Sequence, residues 1–565
     1  MSDTFRLVGG IVHDPANGVD GEEREICVRD GRIVDDLPDD APRVDVRGAC
    51  VLPGGVDIHC HIAGPKVGHA RTLHPERARG EEVAAPLWAD GGRGRSGTGG
   101  VVPSSHVTGY RYAGLGYTTA MEAALPPSGA RRTHHELRDV PTLDRGLYVL
   151  AANHRFFLEA LSRGEREVAR GFLGWLVRRT GAYTLKAVNP GGVEAWKARR
   201  GDVTDVNEPL VGFGVTPLEI VREMAAAADE MGLPHPVHVH ACDLGIPGNV
   251  ETTLETMRAV EGRRAHFAHA QFHAYGDDGD GRPVSAAGRL MEYVNDHPEI
   301  SLDVGQVMFG DATVMTADGP VGHLLHRLSG ERWYNLDTEL ETGCGIVPYR
   351  YRPESYVHAL QWAVGLEMFL RADDPWRVVL STDHPNGGSF LAYPRLMRLL
   401  MDADFRRARL DKVHPDVIAG TALADGLDRE YTLNEIVVIT RAAPARLLGL
   451  DDRKGHLGPG ADADISVYDP GDDWEETFRS PRLVFKSGQK VLEEGEPVRA
   501  TAGRTLVADP DWDRGVDGRI EAFLRDRLSV TPGSWGLTDE ELRAAGDVEA
   551  VDGREHGGRP SGGAE

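Results

Sequence analysis

The sequence predicts an α/β protein: a parallel sheet, open or closed into a barrel, bracketed by two small all-β segments. Three observations predict it. Apolar strands alternate with amphipathic helices through the middle of the chain, over roughly 400 residues. Short strands with tight turns occupy both ends. The length, 565 residues, leaves room for a large core and one or two satellite units.

The first β segment covers residues 1–52. In "FRLVGGIVHDP", "REICVRDGRIVDD" and "PRVDVRGACVLPG" apolar and polar positions alternate, with Gly, Asp and Pro between the runs. The same texture returns over residues 451–510, in "ADADISVYDP", "PRLVFKSGQKVLEEGEPV" and "GRTLVADP". The two segments are expected to pair into one β-sandwich. Residues 53–450 carry the alternating unit. "PLEIVREMAAAADEMG" has helical apolar spacing and a glycine stop, and "HPVHVHACD" follows as a strand. "NVETTLETMRAVEG" and "ESYVHALQWAVGLEMFLRA" read as helices, "RAHFAHAQF" and "WRVVLSTDHP" as strands. Residues 80–103 read as a mobile insertion. Their "GRGRSGTGG" is no phosphate loop, because no Gly-Lys-Ser/Thr opens a helix after it. Residues 511–565 form an extension that is expected to be partly disordered, ending in "DGREHGGRPSGGAE".

The formal net charge of -25 argues against general affinity for nucleic acid or anionic membranes, both of which need basic surface. No apolar run reaches the roughly 18 residues of a membrane span. "MSDTFRLVGGIVHD" has no basic stretch leading into an apolar one, so no secretory signal is read there. The five cysteines form no C-x-x-C pair, which disfavours an iron–sulfur cluster or zinc ribbon. Sparse thiols of odd number fit a reduced, cytoplasmic protein. Only seven of the 63 basic side chains are lysines, so a lysine in a chemically suggestive place stands out.

The ionisable residues gather at strand ends. "GGVDIHCHIAGPK" places His59 and His61 two apart, on one face of an extended strand. Lys186 closes "AYTLK", His238 and His240 lie in "VHVH", His269 follows "RAHFA", and Asp383 ends "RVVLSTD". In a parallel barrel the C-terminal ends of the strands hold the active site. One such histidine alone reads more readily as a core residue bonded to backbone; five polar groups at equivalent places strain that reading. Converging imidazoles and a carboxylate suit zinc or a similar divalent cation. A lysine ammonium would be repelled by such ions. A neutral lysine amine can instead add CO2 and become a carbamate able to bridge two metals, which arginine cannot do.

The order H-x-H, Lys, His, His, Asp is the ligand order of the amidohydrolase superfamily. "GGVDIHCHIAGPKV", "GYRYAGLGYTTAMEAALPP", "LKAVNPGG", "VHACDLGIPGNVETTLETM", "HAQFHAYG", "DVGQVMFGDATVMTADGP" and "STDHPNGGSF" together resemble the A subunits of formylmethanofuran dehydrogenase and of the bacterial formyltransferase/hydrolase complex. The resemblance runs from residue 5 to residue 510 and leaves out the glycine-rich stretch and the tail. It implies a TIM-like (β/α)8 metal-dependent amidohydrolase barrel with a small β-sandwich built from both chain ends. It implies two divalent ions, zinc by expectation, on His59, His61, N6-carboxylated Lys186, His240, His269 and Asp383. His240 is chosen over His238 because it lies nearer the strand end; His238 is expected behind it. Asp383 would act as general base and then acid, and Lys66 would contact substrate or lie on the surface. The implied reaction is hydrolysis, or the reverse condensation, of the N-formyl amine of a methanofuran-type C1 carrier, with formate as the other product. The implied partners are subunits B, C and D of such a complex. Any redox chemistry would belong to them, since no redox motif is present. Two other readings compete: a dihydroorotase- or hydantoinase-like hydrolase of cyclic amides, which a substrate panel separates, and a non-catalytic scaffold, which a metal assay separates.

Overall fold

The structure, a computed structural model, describes residues 4–75, 83–86, 93–96, 100–198, 205–336, 344–423, 427–544 and 546–553. Most of the glycine-rich stretch and of the terminal tail lies outside these residues. Within the former, Val83–Pro86 and Arg93–Ser96 pair as an antiparallel ladder.

Eight strands form the centre: β1 (Gly55–Cys60), β2 (Tyr117–Leu125), β3 (Asp144–Leu150), β4 (Thr184–Val188), β5 (Val237–His240), β6 (Ala265–Phe267), β7 (Ile300–Asp303) and β8 (Val378–Val379). They pair in parallel and in chain order. Past β8 the chain returns to β1. A parallel bridge joins His384 to Cys60, and the His61 N–H donates to the His384 carbonyl at 2.7 Å. The sheet is therefore closed. All residues of these strands are buried, as expected when helices cover the outside and side chains fill the inside.

The covering helices start and pack as their sequences require. Thr216 and Glu219 cap Pro217–Glu230 reciprocally, and Ile220, Val221, Met224, Ala227 and Ala228 face the core. Tyr356–Arg371 buries Leu360, Ala363, Val364 and Met368.

Both chain ends meet in one nine-stranded sheet. Cys50–Pro53 pairs antiparallel with Ile465–Tyr468 and parallel with Phe5–Asp14. Leu7, Val12, Val28, Val51, Ile465 and Val467 form a core of their own. One strand departs from the expectation. Thr505–Val507, read with this β unit, instead pairs in parallel with the start of β3 and carries Val548–Ala550 on its other side. The reason is electrostatic. Arg504 donates to Asp144 at 2.9 Å and to Asp462, which fixes the strand's start against the barrel.

That arginine belongs to a buried ionic cluster at the N-terminal end of β3. Lys454 lies 2.6 Å from Asp144, 3.1 Å from Asp462 and 2.8 Å from Asp464. Lys486 lies 2.9 Å from Asp144 and 2.8 Å from Asp464. Arg32 reaches Asp462 from the surface at 2.9 Å. Three carboxylates thus face four cations, and the ammonium groups stand between the carboxylates. Burial alone would raise the carboxyl pKa values, but the lysines outweigh it and hold all three below the usual range. Their contribution to stability is present above the ordinary carboxylate pKa and is lost as pH falls towards the depressed values. Lys454→Met should lower unfolding stability by about 3–5 kcal/mol, because it leaves buried charge uncompensated. Urea denaturation followed by far-ultraviolet dichroism reads this directly. A change under about 1 kcal/mol would mean that the cluster does not fasten the chain ends to the barrel.

Candidate metal centre

At the opposite end of the barrel, His59 and His61 leave β1 on the same side. Each Nε2 lies 3.1 Å from Asp383 Oδ1, yet neither Asp383 oxygen has a hydrogen bond of acceptable geometry. Two ligands bound at about 2.0–2.1 Å to one tetrahedral zinc stand about 3.3–3.4 Å apart. The Asp383 oxygen stands close to that spacing from each nitrogen, and one ligand atom from each of the three residues falls within 4.8 Å of the others.

Their other ring nitrogens face carboxylates. His59 Nδ1 is 2.8 Å from Asp303 Oδ2 on β7, and His61 Nδ1 is 3.0 Å from Glu122 Oε1 on β2. A proton on His59 Nδ1 leaves its Nε2 lone pair directed at the site, the arrangement that supports a metal-bound imidazole. Burial disfavours charge on His59, but Asp303 and Asp383 outweigh it and lift its pKa to about 8. The surroundings of this ring favour a cation, whether proton or metal. Burial would likewise raise the Asp383 and Glu122 carboxyls. His59 and His61 hold Asp383 well below the usual range, and Lys66 with His61 holds Glu122 at about 2.

A second group stands beside the first. His269 Nε2 lies 3.0 Å from His240 Nδ1, and His240 Nε2 lies 3.2 Å from Asp318 Oδ2. Asn189, after β4, donates to the other Asp318 oxygen at 3.3 Å. Lys186 on β4 is 1 % exposed, and its Nζ has no hydrogen-bond partner. Burial is the largest influence on this amine and, against Asp303 and Asp383, brings its pKa down to about 7. A neutral amine is thus accessible near neutrality.

The backbone is bent to reach this geometry. Asn189, His269 and Asp383 all adopt positive φ, at 40°, 35° and 49°, a costly conformation for non-glycine residues that collects at functional sites. Gly305 is required beside them: a Cβ there would stand 2.2 Å from His269 Cβ.

All six sequence-derived ligand candidates therefore come together, with donor atoms that hydrogen bonding leaves largely unspent. His238 lies behind them, 3.2 Å from His59 Nδ1 and 3.0 Å from His235. Lys66 does not lie on the surface, the second of its two readings. It is buried, 2.8 Å from His61 Nδ1 and 3.5 Å from Glu122, on the side of His61 away from Asp383. Its ammonium answers the Glu122 carboxylate. The supporting residues Glu122, Asp303, Asp318 and Asn189 and the nearby His273 were not singled out from sequence. A lone acid inside an apolar strand, as in "TTAMEAAL" or "ISLDVG", is the signal that could have found two of them.

Residues 43–499 match the amidohydrolase family, and the chain belongs to it. The chain is 44% identical over 559 residues to protein FwdA of Methanocaldococcus jannaschii, covering 95% of this chain and 97% of that one. It is 38% identical over 549 residues to the A subunit of the formyltransferase/hydrolase complex Fhc of Methylorubrum extorquens, covering 94% and 96%. The crystal structure of that organism's FhcABCD complex with methylofuran contains a chain that superposes with a TM-score of 0.89 at 36% identity, covering 98% of this chain and all of that one. Among the described residues, no helix is long and apolar enough to cross a membrane.

Asp303 is the support most widely shared. It meets His59, lies 3.2 Å from His266 Nε2, and accepts from the His269 backbone N–H at 2.8 Å. Asp303→Asn should preserve the fold and weaken metal binding about 10–100-fold. Competition with a chromophoric chelator measures this. Unchanged affinity would remove Asp303 from the support of the site.

Proposed function

We propose that this chain hydrolyses, or in reverse forms, the N-formyl amide of a methanofuran-type C1 carrier, as the A subunit of a complex with B, C and D subunits. The observation that carries this reading is a complete donor set in a chain similar over nearly its whole length to the Fhc A subunit, whose complex was crystallised with methylofuran. A scaffold that had lost catalysis would have no reason to keep unpaired Lys186, His240, His269 and Asp383 atoms buried together.

In this reading His59, His61 and Asp383 would hold one divalent cation and His240 and His269 a second, with Lys186 present as a carbamate. The neutral Nζ bonds to the carbon of CO2, a carbonyl π pair moves to oxygen, and the amine proton passes to water. Zinc suits this mixture of imidazole and carboxylate donors. Two such cations supply water activation near neutral pH and polarisation of the acyl oxygen.

The protein's own residues set the rest. Asp383, ionised and without a hydrogen bond, takes the proton of the attacking water. The water oxygen bonds to the formyl carbon, and the carbonyl π pair moves to the acyl oxygen. The oxyanion pair then re-forms the carbonyl as the C–N bond breaks with its electron pair on nitrogen, and Asp383 returns the proton there. The free amine leaves with formic acid, which gives its proton to water and departs as formate. A formyl carbon carries only hydrogen as its third substituent, which a closely packed barrel end accommodates. With a net charge of -25, this chain is a poor host for a polyanionic carrier tail, so partner subunits hold that tail.

Two measurements test this. Co-expressed with its B, C and D partners, the chain should co-elute as one complex and release formate from the formylated carrier. The same complex inactive on N-formyl amines but active on a cyclic amide would overturn the reading. Separately, Lys186→Ala should lose much of its metal, and Lys186→Arg should not regain it. Short carboxylic acids should partly restore the alanine variant by filling the gap. A Lys186→Arg protein with two bound metals and normal turnover would sink the carbamate.

A further inference from the structure

One imidazole at the centre has no part in the arrangement so far. His273 ends the short 3-10 helix Ala270–His273 that follows β6. It is 1 % exposed, and neither ring nitrogen has a hydrogen-bond partner. Its ring lies stacked on His269 at a centroid distance of 5.4 Å and meets His240 edge-on at 5.6 Å. One nitrogen from each of His240, His269 and His273 falls within 4.8 Å of the others. A buried polar side chain with both nitrogens unspent carries its full desolvation penalty, and such groups collect where a partner arrives with the substrate.

Its position indicates which substrate atom it meets. Asp383 lies with His59 and His61. His273 lies with the opposite pair, His240 and His269. The C–N and C=O bonds of an amide point to different sides of the carbonyl carbon. With the leaving nitrogen turned towards Asp383, which must protonate it, the acyl oxygen turns towards His273. We infer that His273 is a further catalytic residue, whose N–H donates to the acyl oxygen and grips it harder as that oxygen gains negative charge. This rests on the formyl-amide reading and deepens it. Preorganised donors to a developing oxyanion act on the transition state more than on the bound substrate.

The test uses the assembled complex carrying His273→Ala or His273→Gln. In the alanine variant kcat on the N-formyl substrate should fall about 10²–10³-fold, with KM within about threefold and metal content unchanged. Glutamine, which keeps an N–H donor, should recover part of the loss. A second readout needs no turnover. Phosphite is a tetrahedral anion bearing hydrogen, like the formyl carbon after attack, whereas formate is planar. By calorimetry, His273→Ala should weaken phosphite binding about tenfold or more and formate binding far less. Loss of a metal ion from either variant would make His273 a ligand and overturn the assignment. Unchanged kcat and phosphite affinity would also overturn it. A wild-type complex that fails to turn over N-formyl amines would sink the reaction proposed above, while the phosphite comparison would still decide the role of His273.

Discussion

The contact between Asp303 and His59 is the one on which the rest of the site depends. A carboxylate at the end of an apolar strand is costly to bury unless it is bonded. Asp303 spends one oxygen on His59 and His266 and the other on the His269 backbone N–H. It thereby fixes the tautomer of a β1 histidine and the backbone of the residue that ends β6. Both candidate metal positions inherit their geometry from this side chain. Glu122 likewise faces His61, and also accepts the N–H groups of Ile62 and Ala63 at 2.6 and 3.0 Å.

Closure of the barrel makes these contacts possible. β1 and β7 are far apart in sequence, and only a ring of strands brings both to one rim. Strand pitch alone does not finish the geometry. Asn189, His269 and Asp383 sit in left-handed backbone just past their strands. Ser381 secures the last of them, donating to the His59 carbonyl at 2.9 Å and accepting the Asp383 N–H at 2.8 Å. The strain is held in place by hydrogen bonds between neighbouring strand ends, as expected where function rather than stability sets the conformation.

What could be read from sequence follows from this division. Periodicity reports which residues share a face, so His59 and His61 were legible as a pair and the strand-end position of His269 and Asp383 as a pattern. The parallel strands were legible because each is an apolar run flanked by helices. The partners across the ring were not: nothing local in "ISLDVG" says that Asp303 meets a histidine 244 residues away. Lys66 shows the same limit. Its scarcity as a lysine marked it, but its burial behind His61 depends on Glu122 from another strand. Thr505–Val507 has the texture of the chain-end sheet, and its place in the barrel rests on partners remote in sequence, Asp144 and Asp462 on Arg504 among them.

The two ends of the barrel bury charge in opposite ways, and the contrast bears on what the site needs. At the N-terminal end Lys454, Lys486, Arg504 and the more exposed Arg32 answer Asp144, Asp462 and Asp464, and each carboxylate has a cation within 3.1 Å. That end is electrically closed. At the C-terminal end Glu122, Asp303, Asp318 and Asp383 face imidazoles, Lys66 answers only Glu122, and burial drives Lys186 towards its neutral form. What remains is an excess of negative charge and lone pairs among buried side chains. Protons can offset part of it, as the raised pKa of His59 shows, but each proton placed on an Nε2 there would block a donor from the position it has been oriented to face. Divalent cations offset more charge per ion and leave the imidazoles neutral. The same low dielectric that makes the unpaired carboxylates costly strengthens their grip on such ions. The fold therefore gathers negative charge and lone pairs at one rim, where bound cations would relieve them, while the carboxylates at the other rim are answered by the chain's own cations.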